Sequence, residues 1–187
     1  MAQKNKFGFS ALVLAGSLAS QVAFAGLSSV GAAISLPQPT GDASQELNRP
    51  LGFEAEASLD MPSPLPDSLD LQISAFYEPF SIKNLNTATL SLLGAFGGVQ
   101  LWGGESVLKI RPFVSGQLGF VYDSLSFSGV ASPTSNSALA FAVKAVPGLD
   151  IPIYSHLGAV VELPLTWAFF KSTLTIWDAT FGLRWKL

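Results

Sequence analysis

His156 is the only histidine of the chain, and there is no cysteine. Thiol catalysis, zinc-thiolate sites and disulfides are therefore excluded. A lone imidazole with scattered carboxylates matches no transition-metal ligand set, and nothing specifies a calcium site. Glu54 and Glu56 stand two residues apart, so on a strand they share a face, an arrangement that paired carboxylates use for acid-base work. On a barrel strand, however, such acids more often meet lysine or arginine across the interior. The chemistry to expect is charge pairing. No catalytic residue, cofactor or metal is expected.

The charges are placed by alternation. From Leu51 to Met61 the residues Leu51, Phe53, Ala55, Ala57, Leu59 and Met61 are apolar, with Glu54, Glu56, Ser58 and Asp60 between them. A period of two means a strand. The pattern returns at 69–77, with Leu69, Leu71, Ile73, Ala75 and Tyr77 against Asp70, Gln72, Ser74 and Glu78. It recurs at 108–122, with Leu118, Phe120 and Tyr122 against Lys109, Arg111, Ser115 and Gln117. Residues 138–145 oppose Lys144 to Leu139, Phe141 and Val143, residues 157–169 oppose Glu162 and Thr166 to Val161, Leu163 and Trp167, and residues 177–187 oppose Asp178 and Arg184 to Phe181, Leu183 and Trp185. Residues 87–102 change parity, which predicts a bulge between Gly94 and Gly98. Residues 27–36 supply a first strand. Turn signals separate these runs at 37–48, 61–67, 80–86, 103–105, 129–136, 150–155 and 171–172.

Eight strands in one domain suit the 187 residues, of which 49% are hydrophobic and 12% charged, at a formal net charge of -3. That composition is too apolar for disorder. No basic cluster marks a nucleic-acid partner. Lys4 and Lys6, the apolar run Phe7 to Ala19 and the small residues Ala23 and Ala25 predict a signal peptide over 1–25, cleaved after Ala25. The barrel domain is then 26–187, with its acids in excess by five. It holds no run of about 18 apolar residues, so a membrane position requires a barrel.

Alternation alone leaves open which face is inside. A soluble periplasmic barrel would carry a hydrophobic ligand on the apolar rows, whereas a transmembrane barrel turns them to lipid. Two features favour lipid. With both termini periplasmic, Tyr77, Tyr122, Trp167, Phe169 and Trp177 fall at the outer end and Trp102 and Trp185 at the inner end, as two aromatic girdles. The chain also stops inside its last strand. In this topology Glu54, Glu56, Asp70, Lys109, Arg111, Lys144, Glu162, Asp178 and Arg184 all project into the lumen, where isolated ions carry a desolvation penalty of several kcal/mol and must pair. Arg111 and Arg184 are expected to contact Glu54, Glu56 or Glu162.

The ending Phe181, Leu183, Trp185, Leu187 resembles the C-terminal strand signal read by the barrel assembly machinery, with Leu187 where that signal usually has an aromatic. Arg111-Pro112-Phe113 followed by Gly116, Gly119 and Phe120 is similar to the Arg-Pro-Tyr-x-x-x-Gly-x-Gly stretch of small barrels in the OmpA/OmpX-like superfamily. Gly148 and Asp150, with the turn into His156 and Gly158, resemble the hairpin that follows there. The resemblance implies a closed, antiparallel, up-and-down transmembrane β-barrel of eight strands in the cell outer membrane. It implies a monomer among lipid and lipopolysaccharide, handled by the assembly machinery during biogenesis. The role expected is structural, adhesive or membrane-stabilising, with a lumen filled by side chains and not an open pore. Lipid A deacylases and palmitoyltransferases, the enzymes of such barrels, are implied to use histidine with serine and an acid near the outer leaflet. His156 lies beside an inner turn, and Tyr154-Ser155-His156-Leu157 departs from the His-x-Ser-Asn pattern of the deacylases. A lipid-modifying enzyme is thus an alternative, and a headgroup-level turn residue is the reading preferred for His156.

Overall fold

The computed structural model describes residues 26–41, 43–48, 51–60, 68–83, 88–104, 109–127 and 136–187. The expected signal peptide lies outside them. The strands are β1 (Leu27–Pro39), β2 (Gly52–Asp60), β3 (Leu69–Ser81), β4 (Ala88–Trp102), β5 (Arg111–Phe127), β6 (Asn136–Pro152), β7 (Leu157–Glu162), β8 (Leu165–Phe169) and β9 (Thr173–Lys186), with one helical turn, α1 (Ala43–Glu46), after β1. Each strand pairs antiparallel with its neighbours in the ring, and β1 pairs with β9 from Ser29↔Lys186 to Pro39↔Ile176. The ring is closed, so among the described strands none is a free edge strand.

Nine segments make eight staves, because β7 and β8 are one strand interrupted at Leu163-Pro164. Both halves keep one register against β6 and against β9. Pro164 has no N–H to give the ladder. Its carbonyl still accepts from the Asp178 amide at 2.8 Å, and the Leu163 amide donates to the Pro147 carbonyl at 3.0 Å.

Three expectations need correction. β1 extends past residue 36 to Pro39; β2 pairs it only as far as Ser35, so Pro37 and Pro39 sit where one side has no ladder to break. β4 has no bulge. Its register runs unbroken from Leu69↔Leu101 to Ser81↔Thr89, and its inward residues include Leu90, Leu92 and Phe96. The parity change was an illusion produced by an inner row that is itself apolar in this half of the barrel. Asp150, assigned to a turn, belongs to β6 and is fully buried.

Gly26 and Leu187, the first and last described residues, lie at one end, called here the terminal end, and α1 lies at the other, the loop end. The core is the lumen, filled in three zones. A loop-end cluster joins Phe76, Phe80, Leu92, Phe96, Val121 and Ile176 to Leu47, which follows α1. A smaller terminal-end cluster contains Trp102, Phe113, Val146 and Val160. Polar and charged groups occupy the belt between. The rings fit because glycines face them: a Cβ on Gly94 would overlap the Phe76 ring, and one on Gly148 the Phe113 ring.

Candidate functional site

The belt is assembled from single inward residues on alternate positions of distant strands. β2 contributes Glu54 and Glu56, β3 Glu78, β6 Lys144, β7 Glu162 and β9 Asp178 and Arg184, and all of these except Glu56 are buried. Lys144 forms a buried ion pair with Glu54. Arg184 is 0% exposed. Its Nη2 lies 2.6 Å and its Nε 2.7 Å from Glu56 Oε1, and Nη2 is 3.5 Å from Glu162 Oε1. Each cation also touches one apolar zone. Lys144 Nζ lies 5.7 Å from the ring centres of Phe76 and Phe96, while the Arg184 guanidinium lies 4.9 Å from Phe113 and 5.3 Å from Trp102. These are cation–π distances, so the rings that close the belt above and below also help to hold its charges.

Amides extend the network around the barrel. Gln72 Nε2 donates to Glu56 Oε2 at 2.8 Å, Gln117 Nε2 to Gln72 Oε1 at 2.8 Å, and Ser74 Oγ to Gln117 Oε1 at 2.8 Å. Nearer the terminal end, Lys186 Nζ meets Asp150 Oδ2 at 2.8 Å, and Trp102 Nε1 donates to Asp70 Oδ2 at 2.6 Å. At the loop end, Lys83 Nζ donates to the Ser44 carbonyl and its amide to the Glu46 carbonyl, which fastens α1 over the lumen and seats Leu47 in the cluster.

Of the nine charges expected in the lumen, the structure brings eight to the inner face. Lys109 is the exception. It is exposed, has φ of 59°, and precedes the start of β5 at Arg111, so it belongs to the turn. Arg111 points inward but forms no ion pair among the described residues; its guanidinium lies 4.6 Å over the Trp102 ring. Trp102 is the other correction. Expected in the inner girdle, it is 9% exposed and packed inside, 5.2 Å from the Phe113 ring. It follows Gln100 on the inner row of β4, with Leu101 outward between them, and the Asp70 acceptor lies within.

The remaining girdle residues, Tyr77, Tyr122, Trp167, Phe169, Trp177 and Trp185, lie on the outer rows. Phe120, Phe141 and Phe169 form an outward cluster, Phe120 edge-on to Phe141 at 6.1 Å and Phe141 stacked on Phe169 at 6.2 Å, which sequence reasoning did not single out. Phe181, Leu183, Trp185 and Leu187 are exposed, on the outer row of β9 and just beyond it. His156, also exposed, stacks on Trp185 at 6.1 Å. Glu78 and Lys186 were missed although alternation places both inside. Glu78 and Asp178 are both buried on the inner face.

The outer wall inverts the usual distribution: Phe53 is 55%, Phe120 55% and Leu163 50% exposed, while Lys144 and Arg184 are buried. Neisserial surface protein A superposes with a TM-score of 0.67 at 8% identity, over 85% of this chain and 96% of that one. The chain has the fold of the small outer-membrane barrels. Ail, the attachment invasion locus protein of Yersinia pestis, in complex with the heparin analogue sucrose octasulfate, aligns with a TM-score of 0.60 at 13% identity over 88% and 100% of the two chains. A major outer membrane protein from Thermus thermophilus aligns with 0.59 at 8% identity, over 88% and 100%. No family model and no curated protein matches the sequence. The barrel is thus shared at identities where residue-level roles do not transfer.

Proposed function

We propose that this chain is an integral outer-membrane β-barrel, exported with cleavage after Ala25, whose role is structural, adhesive or membrane-stabilising. The inverted distribution of side chains carries the reading. A soluble ligand-carrying barrel would place Phe53, Leu71, Phe120 and Leu163 inside and its charges outside, and the four side chains are instead exposed on the wall. Lipid is the solvent that rewards such a wall. Both termini are periplasmic, the loop end faces outward, and lipid and lipopolysaccharide surround the apolar rows. The final strand is presented to the assembly machinery, and the barrel works as a monomer.

The lumen is filled and does not conduct solutes freely. Phe80, Leu92, Lys144 and Arg184 have essentially no accessible surface, and Leu47 with α1 covers the loop end, which supports a plugged interior. His156, exposed on the terminal-end turn, stacks on Trp185 of the outer row, which supports its reading as a headgroup-level turn residue. Membrane fractionation combined with unboiled gel electrophoresis tests the main reading. The folded protein is expected in the outer membrane with a heat-modifiable band; recovery from the soluble periplasmic fraction overturns it. Lipid A mass spectra are expected to be the same for the wild type and His156→Ala, and a His156-dependent change would restore the enzyme reading.

A further inference from the structure

We propose that the terminal end of the lumen is a binding site for a small zwitterion of the α-amino-acid type. A cavity of about 170 Å³ opens there, lined by Asp60, Asp70, Trp102, Arg111, Arg184 and Lys186. On the acidic side Asp60 and Asp70 are direct cross-strand partners in the β2–β3 ladder. Like charges so placed repel each other. Neither forms an ion pair among the described residues, and only Asp70 Oδ2 has a donor, the Trp102 indole at 2.6 Å.

The basic side is equally incomplete. Arg111 lies flat on Trp102 without a carboxylate partner among the described residues. Arg184 is wholly buried and committed to Glu56 through Nε and Nη2. Lys186, on the same wall, is committed to Asp150 at 2.8 Å.

Trp102 gathers the acidic and basic groups: its N–H donates to Asp70, and the Arg111 and Arg184 guanidinium groups lie 4.6 and 5.3 Å from its ring. A ligand that brings an ammonium to Asp60 and Asp70 and a carboxylate to Arg111 complements both at once. A simple anion meets the aspartates, and a simple cation meets the guanidinium groups, so each is opposed by one wall. A water needs about 10 to 15 Å³ of such space, so the cavity admits a ligand larger than one water, such as alanine.

The test uses the folded full barrel in micelles, following the Trp102 indole N–H by NMR during titration with alanine, acetate and methylammonium. Alanine is expected to shift this resonance saturably, while acetate and methylammonium are not. Arg111→Met and Asp60→Asn, each checked for heat-modifiability, are expected to weaken the alanine response by about tenfold or more, the loss of one charge-assisted contact. Should Arg111→Met fail to fold, Asp60→Asn, at an exposed position, carries the comparison. Absence of a saturable alanine shift, an equal response to acetate, or unchanged affinity in the folded variants overturns the proposal.

Discussion

The loop-end half of the lumen and the charged belt beneath it are built on the same inward rows, yet they close the barrel by different physics. Phe76, Phe80, Leu92, Phe96 and Ile176 fill the first by shape. Glu54–Lys144 and Glu56–Arg184–Glu162 fill the second by mutual neutralisation. An apolar cluster loses contacts in proportion to the volume removed. An ion pair out of water loses disproportionately when one partner goes, because the other stays desolvated and alone. The belt should therefore be the half that specifies register, and the cluster the half that tolerates repacking.

The sharpest way to break this contrast is Arg184→Met, expected to destabilise the folded barrel by about 3 to 5 kcal/mol by stranding Glu56 and Glu162. Adding Glu56→Gln should recover much of that loss in a denaturant titration. Next is Leu92→Ala, expected to cost about 2 to 5 kcal/mol. A second apolar truncation beside it, Phe80→Ala, should recover none of that loss. Recovery in the apolar pair, or none in the ionic pair, would erase the distinction between the two halves.

The outer wall supplies the reference. Leu163→Arg, in the middle of an outward row, should cost about 2 to 4 kcal/mol in a bilayer, measured by reversible unfolding from lipid vesicles. Tolerance there would mean that the wall does not face hydrocarbon. The smallest effect is expected from Arg111→Met. Having a ring but no carboxylate as its close partner among the described residues, it should lose about 0.5 to 2 kcal/mol, the range of a cation–π contact. A loss as large as that of Arg184→Met would show that Arg111 is tied into the belt.

Much of this was legible from residue order. Strict alternation at 51–61, 69–77 and 177–187 located strands and put Glu54, Glu56, Asp178 and Arg184 on the row opposite the apolar one. It failed where the inner row is also apolar, as at Leu90, Leu92 and Phe96, because a two-letter pattern needs contrast between faces. It failed again just before β5, where a left-handed φ at Lys109 overrides the row. Trp102, by contrast, obeys the alternation with Leu101, and its place inside was hidden only because an aromatic at a strand end suggests a girdle. Leu47 was hidden in a stretch read only as a turn, since its burial depends on the Leu47↔Ile82 bridge and the contacts of Lys83, all from another part of the chain.

By itself the sequence determined the period of the strands, their number and the composition of the two faces, because these depend only on neighbours along the chain. Which charge meets which was decided by the tertiary structure alone. Arg184 and Glu56 are 128 residues apart, and Lys144 and Glu54 are 90. Their meeting is set by ring closure between β1 and β9 and by the stagger of every ladder between them, and a slip of one residue in any ladder would turn a whole row from lumen to wall.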